Sequence, residues 1–349
     1  MKKRGAIEVQ FNWLFVLIVG AMILIFFTTA IMRQKDISEA KIAATILTDL
    51  ETITTGAKVS RSTFQVISVP DTNIKFSCDD CLCKFSIGDN SKPFRDKVIF
   101  APEYIKGRQV LAWTQEFSMP FRVSNLLYLT SPQLRYIIRD NNGNNLLANL
   151  IDESLPDEIL HERNPGIIED NNHYKVKFIY IDMGPDDTDL EYISKMKDSD
   201  VTAINVLTAT NQITFYGKDS SNWAPEGSNT FWVASTREDL LGAIFAEDLE
   251  MYNCQMREIF NRMKIASRIY ESKTTNLKAY FQEVYSGSQR DCEVYYTPAL
   301  ASLAALYGIS QAQANNFPTG INLNELSGIS AGLNTENNNI MIKHCPEIY

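Results

Sequence analysis

Residues 11 to 32, FNWLFVLIVGAMILIFFTTAIM, contain no charged side chain. At the ~1.5 Å rise of a helix this stretch spans roughly 33 Å, enough to cross the hydrocarbon of a bilayer. Its polar members are Asn12, Thr28 and Thr29. No other part of the chain is apolar enough for a second span, so the sequence divides into one membrane helix and one large polar body. A removable secretory signal has an apolar core of about 7–15 residues followed by a small-residue cleavage site. This core is longer, and Thr28 to Arg33 is not such a site, so a retained anchor is expected. Lys2, Lys3 and Arg4 precede the span and Arg33, Lys35 and Lys41 follow it, so charge alone does not orient it.

The formal net charge is −9, from 33 basic and 42 acidic residues. Three of the basic residues and one acid lie before residue 33, which leaves 30 against 41 in the body. An acidic body argues against a nucleic-acid partner, which requires clustered Lys and Arg. It also argues against lying flat on anionic lipid. About 300 residues outside the membrane suffice for two domains with real cores.

Six cysteines are present: Cys78, Cys81, Cys83, Cys254, Cys292 and Cys345. An even number beside a membrane anchor fits disulfides outside the cytoplasm. They favour an N-terminus inside and a body outside; the connectivity is left open by the sequence. Cys78-Asp-Asp-Cys81-Leu-Cys83 also invites metal or redox readings. A metal site needs a fourth ligand, and there is no second Cys-x-x-Cys. A redox motif needs a helix start after a strand. The flanks IKFS and KFSIG alternate like strands instead, so a stapled hairpin is expected.

Lys3-Arg4-Gly5-Ala6-Ile7, followed by a charge-poor apolar helix, resembles the class III (prepilin-type) signal of archaeal pilins and archaellins. Bacterial tight-adherence pseudopilins begin similarly. The resemblance covers about thirty residues of 349. It implies peptidase cleavage after Gly5, with Ala6 as the mature start. Glu8 would then be third in the mature chain, not fifth as in type IV pilins. The alternative is an ordinary signal anchor. The body resembles uncharacterised membrane-anchored archaeal proteins that share this N-terminus, and that resemblance implies no activity.

Along the chain the expected class is mixed α+β. Residues 1–10 form a cytoplasmic segment or leader, 11–32 the transmembrane helix and 33–61 a helical stalk. Residues 62–130 read as a small β-rich domain with a turn at Pro70-Asp71. Residues 131–235 read as an α/β domain with a partly parallel sheet, including a strand in HYKVKFIYIDM and a helix over Thr188 to Lys197. Residues 236–349 read as a helical segment introduced by a capping box at Ser235 to Glu238. Ile340 to Lys343 could return as a strand. Two apolar stripes stand out. One runs through Ala43, Ile46, Leu50, Ile53 and Ala57. The other, through Phe245, Leu249, Tyr252, Met256, Ile259, Met263, Ala266 and Tyr270, alternates spacings of four and three. Either could pack on the body or on a partner.

For chemistry, Asp182, Asp186, Asp187 and Asp189 follow a predicted strand, at the kind of strand end where α/β proteins bind ligands. Such carboxylates could hold Mg²⁺ or Ca²⁺. Alternatively, Asp187 caps the next helix and the others complement its dipole. The three histidines, His161, His173 and His344, have no ligand spacing to one another, and no nucleophile elbow, P-loop or GxGxxG occurs. The expectation is a non-enzymatic structural or interaction protein without a cofactor, possessing a pilin-like or envelope role and contacting the bilayer and protein partners or its own copies. The alternatives are a metal- or ligand-binding sensor or enzyme using the Asp182–Asp189 cluster, and an accessory subunit docking through the two stripes.

Overall fold

The computed structural model describes residues 5–57, 62–94, 97–141, 143–166, 173–191, 193–233, 237–284 and 291–349. The class is mixed α+β, with an N-terminal apolar helix, two mixed sheets and a helical C-terminal part.

The first sheet contains β1 (Phe64–Asp79), β2 (Leu82–Ile87), β3 (Asn90–Pro93), β4 (Val98–Phe100), β5 (Tyr104–Ser118) and β6 (Arg122–Thr130), in the order β3-β2-β1-β5-β6-β4. Its pairs are antiparallel except β4 with β6. The turn expected at Pro70-Asp71 is not a turn. Two expected strands are one, β1, whose register against β5 breaks between Ser68 and Thr72. Pro70 sits in that break, where a missing N–H costs no ladder bond.

Helix α1 (Gly5–Ala57) is 53 residues long, roughly 80 Å. Its apolar segment Trp13–Gln34 is wholly unburied. Further along, Ala43, Ile46, Leu47, Leu50 and Thr54 are buried, and the helix lies against β2, β3 and β6. The buried line passes through Thr54 and leaves Ile53 half-buried. A straight helix drifts in this way from a strict heptad.

The second sheet contains β7 (Leu134–Asp140), β8 (His161–Arg163), β9 (Lys175–Ile181), β10 (Val201–Leu207), β11 (Gln212–Asp219), β12 (Asn222–Pro225) and the short β13 (Thr230–Phe231). The order is β12-β11-β10-β9-β7-β8, and β8, β7, β9 and β10 run parallel. Helix α2 (Leu146–Ser154) connects β7 to β8, capped by Asn145, whose Oδ1 accepts from the Leu147 and Ala148 amides. Every residue of β9 is buried, as expected of a parallel strand covered on both faces.

The helix expected over Thr188 to Lys197 is a single turn, α3 (Thr188–Glu191). Beyond it the backbone bonds Ile193 to Leu190 and Met196 to Ile193 are of the i+3 kind. Leu190, Ile193 and Met196, spaced by three, all face the smaller core cluster. That spacing suits three-residue turns better than an α-helix.

Among the described residues four C-terminal helices complete the body: α4 (Glu238–Phe245), α5 (Leu249–Val284), α6 (Asp291–Asn316) and α7 (Leu323–Ile342). Ser235 and Thr236 of the expected capping box lie outside the described residues. The long stripe is split between Phe245 in α4 and the rest in α5, because Asp248 accepts from the Met251 amide and starts a new helix. Ile340 to Lys343 does not return as a strand. Ile340 is the last buried member of a row through Leu326, Ser330, Leu333 and Asn337, and the two polar members hide its helical period in the sequence. A continuous apolar cluster joins the end of α1, the first sheet, one face of the second sheet and the C-terminal helices.

The cysteines pair as Cys78–Cys83, Cys81–Cys254 and Cys292–Cys345. Cys78 and Cys83 face each other across the β1–β2 hairpin, so the hairpin is stapled as expected, through a pair that the sequence left open. Cys81 ties the hairpin tip to α5, and Cys345 ties the tail to α6.

Candidate functional site

The carboxyl edge of the parallel strands gathers Asp140 from β7, Arg163 from β8, Asp182 after β9 and Thr208 after β10. Asp182 takes a left-handed backbone with φ of 53°. Its carboxylate accepts from the Thr208 amide and hydroxyl at 2.8 Å and from Asn145 Nδ2 at 2.9 Å. Burial works against its charge, but the bonds from Thr208 and Asn145 outweigh it and hold the pKa below the usual value. This one side chain links the ends of two strands to the start of α2.

The other three aspartates have separate tasks. Asp186 Oδ1 accepts from the amide and hydroxyl of Thr188 at 2.9 and 2.8 Å, and these bonds lower its pKa. Asp187 accepts from the Trp223 amide at 3.0 Å. Asp189 is buried and ion-paired through both carboxylate oxygens with Arg139, and it also accepts from the Tyr180 hydroxyl at 2.9 Å. Burial and the facing Asp189 push the Tyr180 hydroxyl far above its ordinary pKa. Next to this set, Asp140 accepts from Arg163 Nε and Nη2 at 3.2 and 2.9 Å and from the Asn145 amide at 3.0 Å.

The sequence places four acids in one run. The structure turns them toward four different partners: a neighbouring strand, a helix start, a strand hairpin and an arginine. Among the described residues no group of three or more His, Cys, Asp or Glu side chains converges as a metal site. The hydrogen bonds at this edge join β7, β8, β9, β10 and α2.

A second polar cluster, not singled out in the sequence reading, lies at the amino end of the same strands. Lys175 pairs with Glu247 at 2.5 Å and donates to the Ser199 carbonyl at 3.2 Å. Lys177 is 3% exposed. Its ammonium donates to the carbonyls of Ala243 and Ala246 at the end of α4 and lies 5.3 Å from the Phe215 ring centroid. A helix C-terminus offers unpaired carbonyls and partial negative charge, which suits a cation. Burial still dominates and pushes the Lys177 pKa down to about 8. Nearby Glu226 and Asp248 have raised pKa values, first from burial and then from repulsion by neighbouring acids. The signal was present in the sequence: two lysines two apart in an otherwise apolar strand, Lys175-Val-Lys177-Phe-Ile-Tyr-Ile.

Both apolar stripes pack within the chain's own fold. Ile46, Leu50, Tyr252, Met256, Ile259 and Met263 are all buried without any partner chain. Trp113 and Trp232 are buried as well. Trp223 packs edge-on to Phe178 and Tyr180 and donates from Nε1 to the Asp186 carbonyl at 3.1 Å. The helix start at Gly5 falls within α1, whereas Lys3 and Arg4 lie outside the described residues. Comparisons with protein-family models, curated proteins and solved structures find no match.

Proposed function

We propose that this chain is a single-pass membrane protein whose body is displayed outside the cytoplasm as a structural or interaction component of an envelope or surface assembly. One observation carries the proposal. The segment Trp13–Gln34 has a mean hydropathy of 2.8 and no buried residue, yet it continues in one unbroken helix into residues 43–54, which are part of the body's core. From Gln34 to Ala43 is nine residues, so the helix holds the first packed turn roughly 13 Å beyond the apolar segment. Anchor and body share a rigid rod, which favours retention over removal of the apolar segment. Cleavage after Gly5 is compatible with this arrangement, because Ala6 onward would keep the rod intact. The three cysteine pairs favour an oxidising compartment.

The test is protease treatment of sealed, right-side-out membranes, with intact-mass measurement of the native chain. The body should be digested from outside, carry no free thiol, and start at Ala6 if the leader is of the prepilin type. A protected body with six free thiols would sink the topology. A start at Met1 with the body outside would leave a plain signal anchor. A second reading, as a subunit of a membrane complex, draws on an apolar patch on the α5–α6 hairpin, where Ile265 and Ile269 are 52% and 60% exposed. Stoichiometric co-purification of a membrane partner, lost on Ile269→Asp, would favour it.

A further inference from the structure

The register break in β1 opens the first sheet beside the start of β7. Ser68 pairs with Gln109 and Thr72 with Gly107, so Val69, Pro70 and Asp71 stand opposite Arg108 alone. Bulges of this kind re-aim side chains and interrupt pairing next to functional surfaces. The break borders an open concavity of about 970 Å³, into which Lys106, Arg108, Gln109, Gln133 and Tyr174 project their surfaces. Gly107 between the two cations has φ of 104°, and a Cβ there would lie 3.2 Å from Gln133 Oε1. Only glycine keeps this wall open.

The charge of this groove runs against that of the molecule. The chain carries a net −9, yet Asp71 is the only acid lining the groove. Among the described residues neither Lys106 nor Arg108 forms an ion pair. Lys106 is instead propped over two rings, 5.1 Å from the Tyr174 centroid and 5.7 Å from that of Tyr104. The floor is fixed by Ser131, which is 0% exposed; its Oγ accepts from the Gln133 amide at 3.2 Å. The lining therefore offers two cations that have no counter-ion among the described residues, two planar amides, the Ser68 hydroxyl and the Tyr174 ring. Val69 and Pro132 add apolar surface to the lining, and it is the two cations and the amides that favour an anionic, hydroxyl-rich ligand over a hydrophobic peptide or an acyl chain. The volume falls in the range of small-molecule sites and exceeds what an inorganic anion fills.

We propose that the groove between the β1 break and the start of β7 binds an anionic saccharide chain, its carboxylates on Lys106 and Arg108 and its hydroxyls on Gln109, Gln133 and Ser68. This goes beyond the anchoring role and does not depend on it. The test is calorimetric titration of the full-length chain in detergent micelles with oligogalacturonate, with a neutral malto-oligosaccharide of equal length, and with oligoglutamate. Only oligogalacturonate should bind, more weakly as salt rises. Lys106→Gln with Arg108→Gln should weaken binding by about tenfold or more, as expected for lost charge-assisted bonds. The charge-keeping exchange Lys106→Arg with Arg108→Lys should retain most of it. Lys84→Gln, on a different part of the first sheet, should leave it unchanged. Absence of oligogalacturonate binding, equal binding by oligoglutamate, or equal affinity in the double Gln variant would each overturn the proposal.

Discussion

Lys177 donates its ammonium to the Ala243 carbonyl at 3.1 Å, deep between the second sheet and the end of α4. A lysine in an all-buried strand thereby finishes a helix. The arrangement has a pH signature. Burial lowers the folded-state pKa from 10.5 to about 8. Between those values the unfolded chain holds a proton that the folded chain has released, so stability rises with pH. From about pH 7.5 to 9 the gain from Lys177 should be about 1 kcal/mol. Above about pH 9 the buried tyrosines reverse the trend. Tyr174 and Tyr349, pushed up by burial to about 12, ionise first in the unfolded chain. Urea unfolding at several pH values measures this slope. Lys177→Met should flatten it, and a wild-type protein whose stability is level across that window would refute the assignment.

Asp189 and Asp186 are three apart in sequence and differ in consequence. Asp189 and Arg139 have side-chain exposures of 7% and 16%, so Asp189→Asn leaves a half-buried guanidinium without its counter-ion. Breaking one side of a buried pair costs about 3–5 kcal/mol. Asp186 is exposed and supports the turn into α3, so Asp186→Asn should cost no more than a cap, about 1 kcal/mol. Equal losses in denaturant midpoint would contradict the separate roles. A calcium-dependent rise in Tm that disappears in Asp186→Asn would instead revive the ligand-binding alternative.

Ile259 is 0% exposed in the middle of α5, whereas Ile265 on the same helix is 52% exposed. Ile259→Ala should cost about 2–5 kcal/mol, and Ile259→Asp more, because a carboxylate would be buried without a partner. Ile265→Asp should leave the thermal midpoint nearly unchanged. A folded, fully stable Ile259→Asp protein would mean that α5 does not pack as described.

The elements that were legible in the sequence are those with one dominant period. The apolar run of α1, the 4–3 stripe of α5 and the strand Lys175–Ile181 are examples. A stapled hairpin around Cys78 to Cys83 was legible because the flanks alternate, whereas which cysteines pair was not. What remained hidden depended on partners distant in sequence. The run Asp182 to Asp189 reads as a cluster, yet Thr208, Trp223, Thr188 and Arg139 divide it. The Leu326–Ile340 row was concealed by Ser330 and Asn337, two polar residues at core positions. Asn337 Oδ1 accepts from the Ile348 amide at 2.8 Å, a bond that only the folded tail supplies. The groove at Lys106 and Arg108 depends on a register break that the sequence presented as a turn.

The two disulfides of the hairpin region should differ in their weight. Cys78–Cys83 closes a separation of 5 residues and Cys81–Cys254 one of 173. If cross-links act mainly by restricting the unfolded chain, the two contribute about 2 and about 5 kcal/mol respectively. The longer bridge also fixes the hairpin tip to α5, beside Gln255, whose Oε1 accepts from the Ile99 amide at 2.9 Å. Paired replacement by serine, Cys81→Ser with Cys254→Ser against Cys78→Ser with Cys83→Ser, avoids leaving a free thiol in either variant. Urea midpoints should fall further for the first pair. Non-reducing peptide maps of each variant should retain the other two bridges, showing that no rearranged pairing has formed. A larger loss from the short bridge would mean that local hairpin geometry, rather than the constraint between the first sheet and α5, is what these cysteines secure.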